Sequence, residues 1–160
     1  MKSLILVRHG KAEQIKINQH DFYRKLIDRG IEDVNELAKE LKEDKFQPDL
    51  IISSSAKRAF QTAKILARVL GITESAIVEK EIIYESNTST LLKVINAIDD
   101  KYERVIITGH NPTFEYMIEY LSNQKIAGGL STSGAAHISF DIDTWAMVTE
   151  GLGVLKKLYN

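Results

Sequence analysis

Short, unbroken apolar runs alternate along this chain with longer stretches whose apolar residues recur every three or four positions. Leu4–Val7, Leu50–Ile52 and Val105–Ile107 are the unbroken runs. Continuous runs of this length mark strands buried on both faces of a parallel sheet. Between them the period changes. Ile31, Val34, Leu37, Ala38 and Leu41 fall on one face of a first helix, and Ala59, Ala63, Leu66 and Leu70 on one face of a second, with Gly71 as its stop. Leu91, Val94, Ile95 and Ile98 describe a third helix, which Thr88 or Ser89 is placed to cap. A fourth opens at Asn111-Pro112, with Asn111 as cap and Pro112 in the first helical position, and turns Phe114, Met117, Ile118 and Leu121 inward. "AAHISFDI" alternates as a half-buried strand does, and "GVLKKLY" reads as a last edge strand. The order predicts an α/β three-layer sandwich: a mostly parallel sheet of about five to six strands, with helices on both faces. No repeat or linker divides the chain, so residues 1–160 are expected to form one domain.

Composition narrows the chemistry. Without cysteine there are no disulfides, no thiolate nucleophile and no cysteine-based metal site. A formal net charge of −1 exerts no overall pull on nucleic acid or an anionic membrane, so any anion site must be local. The apolar start stops at Arg8, too early for a signal peptide, and no later run is long enough to span a membrane. A cytoplasmic protein is the expectation.

Local basic chemistry does emerge where strands end. In a parallel sheet the carboxyl ends of the strands share one edge, and ligands bind there. The first strand runs into Arg8-His9-Gly10, the second into "SSSAKR" with Arg58, and the Val105 strand into Thr108-Gly109-His110-Asn111. Glu85 follows the weaker apolar stretch Ile82-Ile83-Tyr84. Arg8, His9, Arg58, His110 and Glu85 are therefore expected on one rim, near helix N-termini. Guanidinium groups match phosphate oxygens, and a neutral imidazole nitrogen can attack phosphorus. Gly10 is read as allowing close approach to a ligand.

In their order, "LVRHG", "SSSAKRAFQTA" and "GHNP" resemble the histidine phosphatase superfamily, which includes phosphoglycerate mutase-like proteins. "DFYRKLIDRG", "LSTSG" and "DTWAM" are similar to its small SixA-type phosphohistidine phosphatases, and the resemblance runs from Leu4 to about Leu155. It implies that His9 is the nucleophile, that Arg8, Arg58 and His110 bind the phosphoryl group, and that neither metal nor organic cofactor takes part. Ser55 and Lys25 depart from the pattern, where many relatives carry proline.

The remaining candidates are secondary. Glu85 is the positional candidate for a proton donor, which alkyl phosphates need. Phosphohistidine needs little acid help, because its leaving imidazole has a pKa of about 6.5. Arg24 either reaches substrate or pairs with Asp21. Ser133 or Thr132, in "AGGLSTSG", is placed to donate to phosphate. His20 reads as a solvated loop residue and His137 as a half-buried structural one. The four histidines lack companions at metal-ligand spacing, and no P-loop or dinucleotide fingerprint is present. The expected substrate is a phosphorylated protein histidine. The alternatives are a small phosphate ester cleaved with Glu85 as acid, and a binding module without turnover.

Overall fold

The first strand is buried on both faces, and the alternation of its side chains divides the core in two. The computed structural model describes residues 1–160. Its strands are β1 (Lys2–Arg8), β2 (Leu50–Ser53), β3 (Ile77–Glu79), β4 (Arg104–Gly109), β5 (Ala135–Phe140) and β6 (Val154–Tyr159). They form one sheet in the order β3-β2-β4-β1-β5-β6. β3, β2, β4 and β1 pair in parallel, while β5 and β6 are added antiparallel. Four helices, α1 (Asp28–Glu43), α2 (Lys57–Leu70), α3 (Thr88–Asn96) and α4 (Thr113–Ser122), cover its two faces.

Successive strand side chains point to opposite faces, so β1 feeds two cores. Leu4 and Leu6 pack with Leu91, Ile95, Phe114 and Met117 beneath α3 and α4. Ile5 and Val7 pack with Val34, Leu41, Ala63 and Leu66 beneath α1 and α2. By the same alternation Arg8 leaves β1 on the α3/α4 side.

Several local expectations change. Ile82 and Ile83 lie in a short 3-10 turn, Glu81–Ile83, and the strand in this region is the preceding β3, a three-residue element with half-exposed side chains. Ile31 is 37% exposed, because α1 turns that position to solvent. Asn87, not Thr88 or Ser89, caps α3 by accepting from the Thr90 N–H at 2.9 Å. α4 begins at Thr113 with Pro112 as its cap residue. The Asn111 amide instead donates to the Leu130 carbonyl at 2.9 Å and to Glu115 at 3.3 Å. Gly71 does close α2 in the left-handed conformation, at φ 73°.

Candidate active site

Three parallel strands bring three polar connections to the sheet's carboxyl edge. His9 follows β1, and its backbone is pinned from both sides: its N–H donates to Gly109 O at 3.0 Å, and its carbonyl accepts from Ser133 N at 3.1 Å. Its imidazole is held in turn. Nδ1 lies 2.7 Å from the Gly10 carbonyl, a pure acceptor, so Nδ1 carries the proton and Nε2 the lone pair. Arg58 Nε donates to that Nε2 at 3.2 Å.

Gly10 has a packing role that its sequence position does not announce. A Cβ there would lie 2.9 Å from both Gly30 O and Val34 Cγ2, so glycine is required by the close packing of α1 on this turn. Thr62 then ties α2 to the same turn. Its hydroxyl accepts from Gly10 N at 3.1 Å and donates to Arg58 O at 2.8 Å. Arg58, in the uncapped first turn of α2, is thereby set against His9.

The organiser of the two outer arginines is Asp21. Its Oδ2 accepts from Arg58 at 2.9 Å and from the Tyr84 hydroxyl at 2.6 Å, while its backbone carbonyl accepts a second Arg58 bond at 2.8 Å. Oδ1 accepts from Arg24 Nε at 2.8 Å and is ion-paired to its terminal nitrogen at 2.7 Å. Burial works to raise the Asp21 pKa, but hydrogen bonds from Tyr84, Arg24 and Arg58 outweigh it and hold the carboxylate well below its usual range. Burial and the bond to Asp21 push the Tyr84 phenol up to about 12.

His110, at the end of β4, packs with its ring 5.3 Å from that of His9 and 5.6 Å from that of Tyr84. Its Nε2 lies 2.8 Å from Ser54 Oγ, which already accepts from Ala56 N at 3.2 Å. The serine hydroxyl has no other acceptor within reach, so its proton goes to Nε2, which leaves Nδ1–H as a donor. That Nδ1 and Arg8 Nε are buried without a partner. Arg8 is steadied by one bond from its terminal nitrogen to Leu130 O, at 2.9 Å. Buried polar atoms are nearly always paired, so these two retain donor capacity that the folded chain itself does not use. Burial lowers the His9 pKa to about 4, with the nearby arginines adding to the effect, and burial beside His9 and Arg58 lowers that of His110 to about 3. Both rings are neutral at pH 7.

Arg8, His9, Arg58 and His110 are thus brought together as the sequence predicts, and Arg24 joins them through Asp21. Glu85 is exposed and forms no hydrogen bond or ion pair; it lines a cleft on which Tyr84 also borders. Ser133 adopts φ +60°, and its Oγ is buried without a partner. With Thr132 it lines a hollow beside α1 and β6, and its link to the cluster is through its backbone N–H to His9. Sequence reasoning missed Asp21 as organiser, together with Tyr84 and Ser54. Its one usable signal was Asp21 three residues before Arg24. No three histidine or acidic side chains are grouped to hold a metal ion, and no helix is long and apolar enough to cross a membrane.

A parallel-sheet edge presenting neutral histidines among arginines has the chemistry to hold a phosphoryl group, in an α/β fold. The chain belongs to the histidine phosphatase superfamily (branch 1), whose sequence profile matches residues 4–91, more than half of it. Within that superfamily its structure is of the SixA type. A SixA protein of Agrobacterium tumefaciens, whose proposed activity is phosphohistidine phosphatase, superposes with a TM-score of 0.84 at 27% identity, over 99% of this chain and 98% of its own. The protein histidine phosphatase SixA complexed with tungstate superposes at 0.82, with 21% identity, over 99% and 96%. A 2,3-bisphosphoglycerate-dependent phosphoglycerate mutase of Borreliella burgdorferi is 38% identical over 73 residues, which are 44% of this chain and only 29% of the mutase.

Proposed function

We propose that the protein hydrolyses phosphohistidine on a protein partner through a covalent phosphohistidine intermediate on His9. The observation that carries this reading is the His9 ring. With Nδ1–H committed to Gly10 O, the Nε2 lone pair faces the arginine cluster. The phosphoryl group is held by Arg8 and Arg58 and by the Nδ1–H of His110. Nε2 attacks phosphorus, the substrate's P–N bond breaks, and the leaving nitrogen takes up a proton. Water then attacks the phosphorus on His9, releasing inorganic phosphate and restoring the neutral ring.

Phosphohistidine is favoured over an alkyl ester by the environment of Glu85. A general acid for an alkoxide has to be held against the leaving oxygen, whereas Glu85 is exposed and unpartnered. Imidazole departs with little such help, and the SixA likeness supports the same substrate class. The second reading, a small-molecule phosphomonoesterase, rests on Glu85 lining the cleft beside Tyr84. In that case Glu85 is the acid.

The test measures phosphate release, with chelator present, from a phosphohistidine-bearing protein and from an alkyl phosphate. Wild type, His9→Ala and Glu85→Gln are compared. The proposal expects release from phosphohistidine that disappears in His9→Ala and survives in Glu85→Gln. Release from the alkyl phosphate alone, lost in Glu85→Gln, transfers the assignment to the ester. Stoichiometric phosphate retention without turnover makes the protein a binding module.

A further inference from the structure

Beside the catalytic cluster lies a cleft of about 370 Å³ lined by His20, Phe22, Tyr23, Glu81, Tyr84 and Glu85. Its walls continue the ring system of the site. From His9 the ring centroids step 5.3 Å to His110, 5.6 Å to Tyr84, 5.0 Å to Phe22 and 5.3 Å to Tyr23. Tyr84 is the shared wall: its ring touches His110, and its hydroxyl meets the Asp21 carboxylate that anchors Arg58. A group attached to the phosphoryl moiety therefore has an aromatic surface to follow from the nucleophile into the cleft.

The charges along that path change sign. Around His9 the field is cationic, from Arg8, Arg24 and Arg58. In the cleft the two charged groups are Glu81 and Glu85, both exposed and neither hydrogen-bonded nor ion-paired. Asp21, by contrast, is fully committed to Tyr84, Arg24 and Arg58. A small substrate carrying its own carboxylate would meet two unneutralised carboxylates here. A lysine or arginine would meet both of them beside the rings of Phe22, Tyr23 and Tyr84. Tyr23 and Ile82, 62% and 59% exposed, extend this surface outward with apolar area suited to a macromolecular partner.

We infer that this cleft selects phosphorylated protein segments that carry a lysine or arginine next to the phosphohistidine, with Glu81 and Glu85 as the specificity-determining residues. The inference rests on the phosphohistidine reading above and names its substrate class more narrowly.

Two phosphohistidine peptides, identical except for lysine or glutamate beside the phosphorylated residue, test it, with an aryl phosphate as reference. The share of each peptide's kcat/KM is read as a ratio, in which any change in the shared chemical step cancels. Wild type at low salt is expected to prefer the lysine peptide by about tenfold, as two exposed ion pairs together imply. The ratio should fall toward one in the Glu81→Gln/Glu85→Gln double variant, and in wild type at about 0.5 M salt, where the Debye length drops to a few ångströms. Hydrolysis of both peptides at equal rates, or a ratio unchanged in the double variant, overturns the inference and leaves phosphohistidine hydrolysis standing. Hydrolysis of the aryl phosphate but of neither peptide removes the phosphohistidine reading itself, and the inference with it.

Discussion

Replacing Asp21 with asparagine keeps the shape of the side chain and removes its charge, which isolates what the carboxylate does for Arg58. In the folded protein Asp21 accepts from Arg58 at 2.9 Å, from Arg24 at 2.8 Å and from Tyr84 at 2.6 Å. Asparagine offers one acceptor oxygen and an amide that is itself a donor. At least one of the facing donors then loses its partner and meets another donor. Arg58 is the most exposed to this loss chemically, because its side chain is only 6% accessible and water cannot replace the carboxylate there. A charge-assisted hydrogen bond is worth about 1.5–3 kcal/mol. Asp21 is 35% accessible, so solvent screening reduces the figure, and a loss of about 1–2 kcal/mol in stability is expected.

The effect on turnover should exceed the effect on stability. Arg58 reaches His9 Nε2 through Nε while its two terminal nitrogens are both fixed on Asp21. Freeing one end lets the guanidinium plane rotate out of the position from which it would hold the phosphoryl group. Loss of a supporting interaction of this kind typically costs about 10–100-fold. Steady-state kinetics on an aryl phosphate, with urea denaturation of the same preparation, measure both quantities. The expected result is a kcat lowered at least tenfold, with KM changed much less. Unchanged kcat with a lowered KM would refute the reasoning, because Asp21 would then be a competitor of the phosphoryl group for Arg58 and not its support.

Two further outcomes follow from the same geometry. In Gly30→Ala the new Cβ would lie 2.1 Å from Lys11 O, at the turn that presents His9, so it should cost about 1–3 kcal/mol by urea denaturation, and a cost below 0.5 kcal/mol would refute the packing account. The pH dependence follows from the depressed histidine pKa values, about 4 for His9 and about 3 for His110, against about 6.5 when unfolded. Between those values the unfolded chain binds more protons than the folded one, so stability should fall as pH drops from 6.5 toward 4, by at most about 3 kcal/mol from each ring. The His9 limb of kcat/KM should lie near pH 4, apart from any limb at about pH 6 from the second ionisation of the substrate phosphate; urea midpoints and pH–rate profiles measure the two, and a limb near 6.5 that the free substrate's own titration does not account for would contradict the burial argument.

How much of this was legible in the sequence depends on the distance over which each feature is determined. Leu4–Val7, Leu50–Ile52 and Val105–Ile107 are buried strands because each run is apolar throughout, and the residues after them had to reach a common edge once the strands were parallel. Arg8, His9, Arg58 and His110 could therefore be placed together without coordinates. β3 could not, since Ile77–Glu79 is a three-residue edge strand whose side chains are half-exposed and carry no period. Asn111 failed as a cap because α4 begins at Thr113, which puts Pro112 in the cap position, and the Asn111 amide is turned to the distant carbonyl of Leu130. Gly10 shows the same limit: its need for glycine lies in Gly30 and Val34, which only the packing of α1 brings near.

The site's organisers were hidden for a related reason, and their arrangement shows what substrate must do. Asp21 reaches Arg58 across 37 positions and Tyr84 across 63, so no local pattern announces either bond. Together they hold Arg58 so that its Nε–H lies on the lone pair of His9 Nε2, at 3.2 Å. That lone pair cannot attack phosphorus while it accepts a proton contact. An arriving phosphoryl group offers Arg58 charged oxygens, stronger acceptors than a neutral imidazole. In the proposed reaction, transfer of that one bond from nitrogen to phosphate oxygen would both seat the substrate and uncover the nucleophile. Asp21 keeps the rest of the guanidinium fixed, so the exchange needs only a small shift, and Arg8 Nε and His110 Nδ1 would add further donors to the phosphate. The bond between Arg58 and His9 is thus the one that phosphate binding would exchange to produce the reactive arrangement.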